Sequence, residues 1–226
     1  MDKKRSIIKA GFTLAEVLIT LSIIAVISVL TIPSVVKNYR YKSYAATAQK
    51  TYAQISDAVQ SIMADEMESK SFYQTTAGVK SSCTAGKETG ACYFLRNYFK
   101  VNNDCTSSAL NTKCTAKEYK SINGANAGTP FGEHCIQNSN GATICMILNT
   151  TNGISSIFID VNGPAQPNIT GLDVYVASID NITNEVKDWV TTGDTCNTKQ
   201  ASNGHVADYA AGCLYKLMKN GWVITD

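Results

Sequence analysis

One segment near the amino terminus constrains the fold of this chain more than any other feature. The 25 residues from Phe12 to Val36 are mostly apolar and include a single charged residue, Glu16. As an α-helix, at about 1.5 Å per residue, the segment extends roughly 37 Å, which exceeds the ~30 Å hydrocarbon core of a bilayer. The sequence therefore predicts a membrane-spanning helix joined to a globular part.

The distribution of charge and cysteine predicts which way this helix crosses the membrane. Four basic residues and one acidic residue precede it: Lys3, Lys4, Arg5, Lys9 and Asp2. Basic flanks stay in the cytoplasm. All eight cysteines lie at or after Cys83, and disulfides persist outside the cytoplasm. We therefore expect a single-pass protein of the inner (cytoplasmic) membrane, with its amino terminus inside and its head outside.

Three interpretations of the apolar segment compete. A cleaved secretory signal is disfavoured, because the segment is too long and no A-x-A-like site follows it. An uncleaved anchor fits the length but does not explain Glu16, whose carboxylate costs about 2 to 3 kcal/mol or more in lipid. In the third interpretation Glu16 lies at the headgroups, solvated and without function. Physical reasoning alone leaves a solvated Glu16 and a functional one equally open.

The residues around Glu16 resemble a known processing site. The sequence Gly11-Phe12-Thr13-Leu14-Ala15-Glu16, after a short basic leader, resembles the leader of type IV prepilins and of the pseudopilins of type II secretion. The resemblance implies that a prepilin peptidase removes residues 1–11 by cutting between Gly11 and Phe12, and methylates Phe12. It also implies that Glu16 is the assembly residue and that Pro33 matches a helix-kinking proline of the family.

The chemistry of this site is consistent in itself. Removal of the leader exposes an ammonium on Phe12, which lies four residues, or one helical turn, from Glu16. Within one chain, the carboxylate is also favoured at the positive end of the helix. In a filament, Glu16 is expected to pair with the ammonium of a neighbouring subunit, because an unpaired carboxylate among apolar side chains is costly.

A helical pattern continues beyond the apolar segment. Apolar residues recur at intervals of three and four: Tyr44, Ala48, Tyr52, Ile55, Val59 and Ile62. This spacing predicts one helix over residues 12–66, membrane-spanning over 12–36 and amphipathic over 37–66. The basic and aromatic residues 37–42 indicate a membrane-interface belt rather than a nucleic-acid site.

Residues 67–226 are predicted to form an extracytoplasmic head. Residues 70–133 look irregular, apart from a helical turn or two near Tyr93–Phe99. Three segments rich in β-branched and aromatic residues follow, at 142–148, 154–161 and 172–179, with a short hairpin connection at 149–153. Residues 210–218 read as a short helix, and 222–224 as a final strand or tail. The predicted class is α+β, with the long helix packed on an antiparallel sheet and a disulfide-braced variable region. It resembles the pilin fold.

The connection after the second predicted strand contains candidate metal ligands. Asp160, Asn162 and Asp173 offer oxygen atoms that could converge on calcium, which some pseudopilins bind. The Asp-x-Asn-Gly fragment lacks the full acidic pattern of a calcium loop. A turn stabilised by Asp and Asn side chains is therefore favoured over a metal site.

The eight cysteines are expected to form disulfides. In chain order they are Cys83, Cys92, Cys105, Cys114, Cys135, Cys145, Cys196 and Cys213. Sequential pairing is the simplest pattern, and a nested pairing of the first four is the alternative. A zinc site is disfavoured, because there is no C-x-x-C and only His134 and His205 remain as partners.

These observations favour a structural protein over an enzyme. The chain has no G-x-S-x-G motif and no P-loop. Its net charge of +2 argues against a strongly basic nucleic-acid binder.

We therefore expect a prepilin-like subunit of a type IV pilus or related filament, without a cofactor. Its expected partners are prepilin peptidase, copies of itself or other pilin-like subunits, and an inner-membrane assembly platform. The alternatives are a type II secretion pseudopilin, or a minor or tip subunit whose head binds a surface, DNA or secreted cargo.

Overall fold

The computed structural model describes residues 11–105, 113–128, 134–149, 154–190, 195–196 and 206–225. The chain divides into two compact units, Met1–Arg40 and Tyr41–Asp226. The predicted hairpin connection falls largely on residues 150–153, which lie outside the described residues.

A single long helix, α1, dominates the amino-terminal part. It runs over Leu14–Asp65 and includes Pro33. The helix begins two residues later than predicted, because Thr13 caps it. Its buried residues all lie in the second half: Ala45, Ala48, Thr51, Ile55, Ala58, Val59 and Ile62. This set contains most of the predicted apolar stripe, and the two predicted tyrosines, Tyr44 and Tyr52, pack against it half-buried.

The head is built on a six-stranded antiparallel sheet. Its strands, in their order across the sheet, are β1 (Val101–Asp104), β4 (His134–Asn138), β5 (Thr143–Asn149), β6 (Ile154–Asp160), β7 (Val174–Ile179) and β8 (Val186–Lys187). Strands β2 (Tyr119–Lys120) and β3 (Asn126–Gly128) pair with each other as a separate two-stranded antiparallel ribbon. The three central strands, β5 to β7, are those that the sequence predicted, to within two residues at either end.

The two faces of the sheet contribute to separate cores. On β6, Ile157 and Ile159 belong to the cluster that also contains the buried residues of α1. Phe158, between them, belongs to a second cluster, which includes Tyr119 and a disulfide between Cys105 and Cys114. This alternation follows from the period of two in a β-strand. Strand β7 is buried at every position, so both faces of the sheet are covered there.

The described part of the head is completed by a 3₁₀ helix at Phe72–Gln74 and by three short α-helices: α2 (Gly90–Asn97), α3 (Val206–Ala210) and α4 (Cys213–Lys219). The predicted carboxyl-terminal helix corresponds to α4, except that Ala210 ends α3 and Gly212 lies between the two helices. Gly212 has a φ of +84°, and a Cβ atom there would lie 2.5 Å from Thr195 Oγ1. The positive φ favours glycine at this position, since other residues rarely adopt that conformation. The final residues form a tail rather than a strand, with the Trp222 ring 5.6 Å from that of Tyr52.

Candidate functional site

The start of α1 is built by a reciprocal pair of polar side chains. The Thr13 backbone N–H and hydroxyl each donate to Glu16 Oε2 at 2.8 Å. In return, the Glu16 N–H donates to Thr13 Oγ1 at 3.2 Å. This is a capping box, in which a Thr and a Glu three residues later satisfy backbone N–H groups that the first helical turn leaves open. The Glu16 carboxylate is thus held within its own chain.

The predicted cleavage position lies immediately before this cap. Gly11 and Phe12 are exposed and precede the first helical residue. The Phe12 side chain is 89% exposed. Of the predicted leader, residues 1–10 lie outside the described residues. The residues on both sides of the Gly11–Phe12 peptide bond are therefore exposed and outside regular secondary structure.

The first half of α1 presents its apolar side chains outward. Leu14, Val26, Val29 and Leu30 are all more than 60% exposed. The helix is long and apolar enough to cross a membrane, with a mean hydropathy of 2.4 over its most apolar stretch. Polar side chains in this half turn back onto the helix. Thr20, Ser22, Thr31 and Ser34 each donate to a backbone carbonyl three or four residues earlier. Over residues 14–36 of α1, Glu16 is the only charged residue.

Pro33 lies inside α1. Proline has no backbone N–H, so the Val29 carbonyl lacks its usual intrahelical donor.

The predicted interface belt, residues 37–42, continues the helix at its exposed surface, where the Tyr39 side chain is 74% exposed. This combination of exposed aromatic and basic side chains is typical of a membrane interface.

In the head, the structure brings the three candidate calcium ligands together, and the two carboxylates among them interact electrostatically. Asp160 and Asp173 are both fully buried. Burial, and then the charge of Asp173, raises the pKa of Asp160 well above its ordinary value. Burial raises the pKa of Asp173 to about 6, although backbone N–H groups of Ile169 and Asn168 oppose the shift. Neutralisation by a proton, or by a cation, would relieve this repulsion.

Hydrogen bonds within the head account for the position of each carboxylate. Asp173 accepts the backbone N–H of Asn168 at 2.8 Å and that of Ile169 at 2.6 Å. Asp160 accepts the Tyr119 hydroxyl at 3.0 Å and the Asn162 N–H at 3.3 Å. These bonds form the side-chain-stabilised turn that the sequence favoured.

Asn162, the third candidate calcium ligand, holds the loop through its amide nitrogen, which donates to the carbonyls of Ala165 and Gln166. Its side-chain oxygen and that of Asn168 are buried without a hydrogen-bond partner among the described residues. The residues that offer oxygen atoms to a hard cation such as calcium are therefore these two asparagines together with Asp160 and Asp173.

Four disulfides brace the head in sequential order. They join Cys83 to Cys92, Cys105 to Cys114, Cys135 to Cys145, and Cys196 to Cys213. The third joins residues that face each other across β4 and β5. The fourth fixes Cys213, the first residue of α4, to Cys196.

The first disulfide has a neighbour that the sequence did not place there. His134, the first residue of β4, lies with its Nδ1 3.3 Å from Cys83 Sγ. The ligand atoms of Cys83, Cys92 and His134 all lie within 4.8 Å of one another. The two cysteines are 9 positions apart in the sequence, and His134 is 51 positions from Cys83. No local sequence pattern marks the three residues as a cluster, because only the fold brings them together.

Two other structural residues were missed at the sequence level. Thr13 carried a signal, since the pattern Thr-x-x-Glu before an apolar run marks a capping box. Asp188 carried none. Its buried carboxylate accepts backbone N–H groups of Val190, Gly212 and Tyr215 at 2.8 to 3.0 Å, and so ties the end of β8 to the start of α4.

Comparisons of this chain with protein-family models, with curated proteins and with solved structures found no match.

Proposed function

We propose that this chain is a prepilin-like structural subunit, which is stored in the cytoplasmic membrane and assembled into a type IV pilus or related filament through α1. The proposal rests on one arrangement, an exposed Gly11-Phe12 bond placed directly before a capped helix whose apolar part, residues 14–36, carries a single carboxylate, Glu16. Residues 14–36 of that helix expose their apolar side chains, while every buried residue of α1 lies at Ala45 or later.

The membrane stage uses the apolar half of α1 as an anchor. Prepilin peptidase would cleave between Gly11 and Phe12 on the cytoplasmic side and methylate the new amino group of Phe12. Cleavage removes the basic leader, so the positive charge that holds the amino terminus inside falls to a single ammonium. The head, braced by disulfides, would remain on the opposite side, where those bonds persist.

The filament stage uses the same surface for a different partner. Apolar side chains that contact lipid in the membrane would contact the α1 helices of neighbouring subunits in the filament. Glu16 would exchange its bonds with Thr13 for the ammonium of a neighbour. Because an unpaired carboxylate among apolar side chains is costly, only the stagger that pairs it would be stable. Glu16 would thereby set the register of assembly.

Mass spectrometry of the mature chain tests the processing step. We expect an amino terminus at Phe12 that carries one methyl group. A chain that retains Met1 would contradict the proposal. Deletion of the prepilin peptidase gene serves as the control, since it should leave the leader attached.

Substitution of Glu16 tests the assembly step separately. We expect Glu16→Ala to be cleaved and methylated normally but to give no filaments by electron microscopy. Thr31→Ala is the matched control, because it changes a polar side chain of the same exposed half, which donates only to the Ile27 carbonyl. It should assemble normally. Normal filaments from Glu16→Ala would contradict the role assigned to this residue.

Microscopy and copy number separate the kinds of subunit. A major pilus subunit predicts abundant chains and surface filaments that disappear when the gene is deleted. A secretion pseudopilin predicts that secretion fails while surface filaments persist. A minor or tip subunit predicts few copies per filament.

A further inference from the structure

The cluster of Cys83, Cys92 and His134 has the chemistry of a metal site as well as that of a disulfide. Its three side chains come from different elements, since Cys83 precedes α2, Cys92 lies within α2 and His134 begins β4. Two sulfur atoms and one imidazole form a ligand set that favours zinc over the hard cations calcium and magnesium.

The distances in the cluster agree with such a site. Zn–S and Zn–N bonds of about 2.3 and 2.0 Å place neighbouring ligand atoms about 3.5 Å apart in a tetrahedron. Cys83 Sγ already lies 3.3 Å from His134 Nδ1, and all three ligand atoms fit within 4.8 Å. Once the two sulfur atoms are no longer bonded to each other, a side-chain rotation would separate them sufficiently.

The burial of the cluster allows an ion to reach it. Cys92 is fully buried, whereas Cys83 and His134 are partly exposed. Helix α2 thus holds Cys92 and strand β4 holds His134, while the partly exposed Cys83 and His134 side chains leave the cluster open to solvent on one side. Three protein ligands with one open position are sufficient for zinc, which takes water as its fourth ligand in such sites.

We propose that Cys83, Cys92 and His134 form a binding site for zinc in the reduced chain, and that zinc and the disulfide compete for the same two sulfur atoms. A dithiol reductant converts the disulfide to two thiols and is itself oxidised to a disulfide. The two thiols then bind one Zn²⁺ as thiolates and release two protons. A disulfide oxidant reverses the sequence: it takes two electrons from the two thiolates, which bond to each other again, and with two protons it becomes two thiols. The ion is then expelled.

This proposal does not depend on the filament function, because it concerns only the head. It predicts that the first disulfide differs from the other three. The Cys105–Cys114 and Cys135–Cys145 pairs are fully buried. Among the described residues, no other pair belongs to such a group of three metal-ligating side chains.

The equilibrium test uses the full chain in detergent micelles, reduced with a phosphine and titrated with Co²⁺ as a spectroscopic substitute for zinc. We expect one tight site per chain, with a thiolate-to-cobalt charge-transfer band that Zn²⁺ removes. Loss of supporting contacts to a metal ligand already weakens binding about 10- to 100-fold. We therefore expect His134→Ala to weaken binding by at least about tenfold. His205→Ala is the matched control, since it removes the only other histidine.

The kinetic test measures competition during reoxidation. The reduced full chain is oxidised with and without Zn²⁺, thiols are blocked at intervals, and each pair is mapped by mass spectrometry. We expect Zn²⁺ to delay the Cys83–Cys92 bond at least about tenfold more than the other three, and His134→Ala to abolish that difference.

Two results would overturn the proposal. The first is equal cobalt binding by the wild-type and His134→Ala chains, which would assign the signal to thiols in general. The second is an equal delay, or no delay, of all four disulfides. Because neither measurement depends on assembly, a chain that fails to form filaments would still give a clear answer.

Discussion

Thr13 lies between the proposed cleavage position and the helix. Its hydroxyl both donates to the Glu16 carboxylate and accepts the Glu16 N–H in the capping box. Replacement of an N-cap threonine costs about 1 kcal/mol, which is roughly a fivefold change in local opening. We expect Thr13→Val to accelerate amide hydrogen exchange at Glu16 about fivefold, as measured by NMR in micelles. Valine keeps the shape of threonine and removes only the hydroxyl.

Thr13→Ser is the matched control for this prediction, because serine retains the hydroxyl. It should exchange like the wild type. Equal exchange in all three proteins would show that the hydroxyl does not hold Glu16 in solution. In that event the helix start would depend on the Thr13 N–H alone, which the substitution leaves in place.

Asp173 provides a test through pH. Burial raises its pKa to about 6 in the folded chain, against about 3.9 for an unperturbed Asp. Between these values the folded state binds more protons than the unfolded state, so the free energy of unfolding falls as pH rises from about 4 through about 6. The difference corresponds to roughly 2 to 3 kcal/mol. The pKa of Asp160 is also raised, so its ionisation likewise lowers the free energy of unfolding as pH rises.

Denaturation of the full chain in micelles at several pH values measures this slope. We expect Asp173→Asn to flatten the profile between pH 4 and pH 7. Asp180→Asn is the control, because hydrogen bonding to Lys187 lowers the pKa of Asp180. Its stabilising contribution is complete above the unfolded pKa and is lost only as pH falls well below 4. A wild-type slope in Asp173→Asn would contradict the assignment.

At the scale of elements, the second half of α1 is the apolar layer that covers one face of the sheet. Ile62 is fully buried in the core cluster that this half of α1 shares with the sheet. Removal of a buried isoleucine side chain beyond its Cβ costs about 2 to 5 kcal/mol. We therefore expect Ile62→Ala to lower the free energy of unfolding by about 3 kcal/mol. Chemical denaturation followed by tryptophan fluorescence provides the measurement, since Trp222 packs against Tyr52 of the same helix.

Ser61→Ala, one residue away, is the control for this helix. The Ser61 side chain is exposed and donates only to the Asp57 carbonyl at 2.8 Å. Exposed substitutions of this kind usually change stability by less than about 0.5 kcal/mol. A similar loss in both variants would mean that α1 does not contribute its buried face to the core.

The elements that the sequence predicted are those with strong periodicity. Helix α1 and strands β5 to β7 combine apolar residues with the correct spacing, so their positions follow from pattern alone. Strand β1, with the sequence Val-Asn-Asn-Asp, has a single apolar residue and was missed. It is a strand because β4 pairs with it, and this tertiary cause leaves no local signal.

The candidate sites divide in the same way. Thr13 and Glu16 are three residues apart, so their contact is a local property that a sequence can reveal. The approach of His134 to Cys83 spans 51 residues and depends on how α2 lies against β4. Asp188 reaches Gly212, the residue before α4, across 24 residues of the chain. Sequence reasoning identifies the residue types in such clusters but not their convergence.

At the scale of the whole molecule, the residues that stabilise the head and those that the proposed assembly would use lie in different parts of the chain. The two cores and the four disulfides all belong to the unit that begins at Tyr41. Residues 11–40 contribute no buried side chain. The apolar surface that would serve the membrane and the filament is therefore not needed to hold the head together.

This separation predicts that a chain consisting of residues 41–226 folds without residues 1–40. It retains every buried residue of α1, so we expect it to be soluble without detergent and to keep all four disulfides. Its melting temperature should lie within about 4 °C of that of the full chain in micelles, a difference of about 1 kcal/mol for a domain of this size. Ile62→Ala in the shortened chain should give the same loss of stability as in the full chain. A shortened chain that aggregates or melts far lower would mean that the apolar half of α1 also stabilises the head.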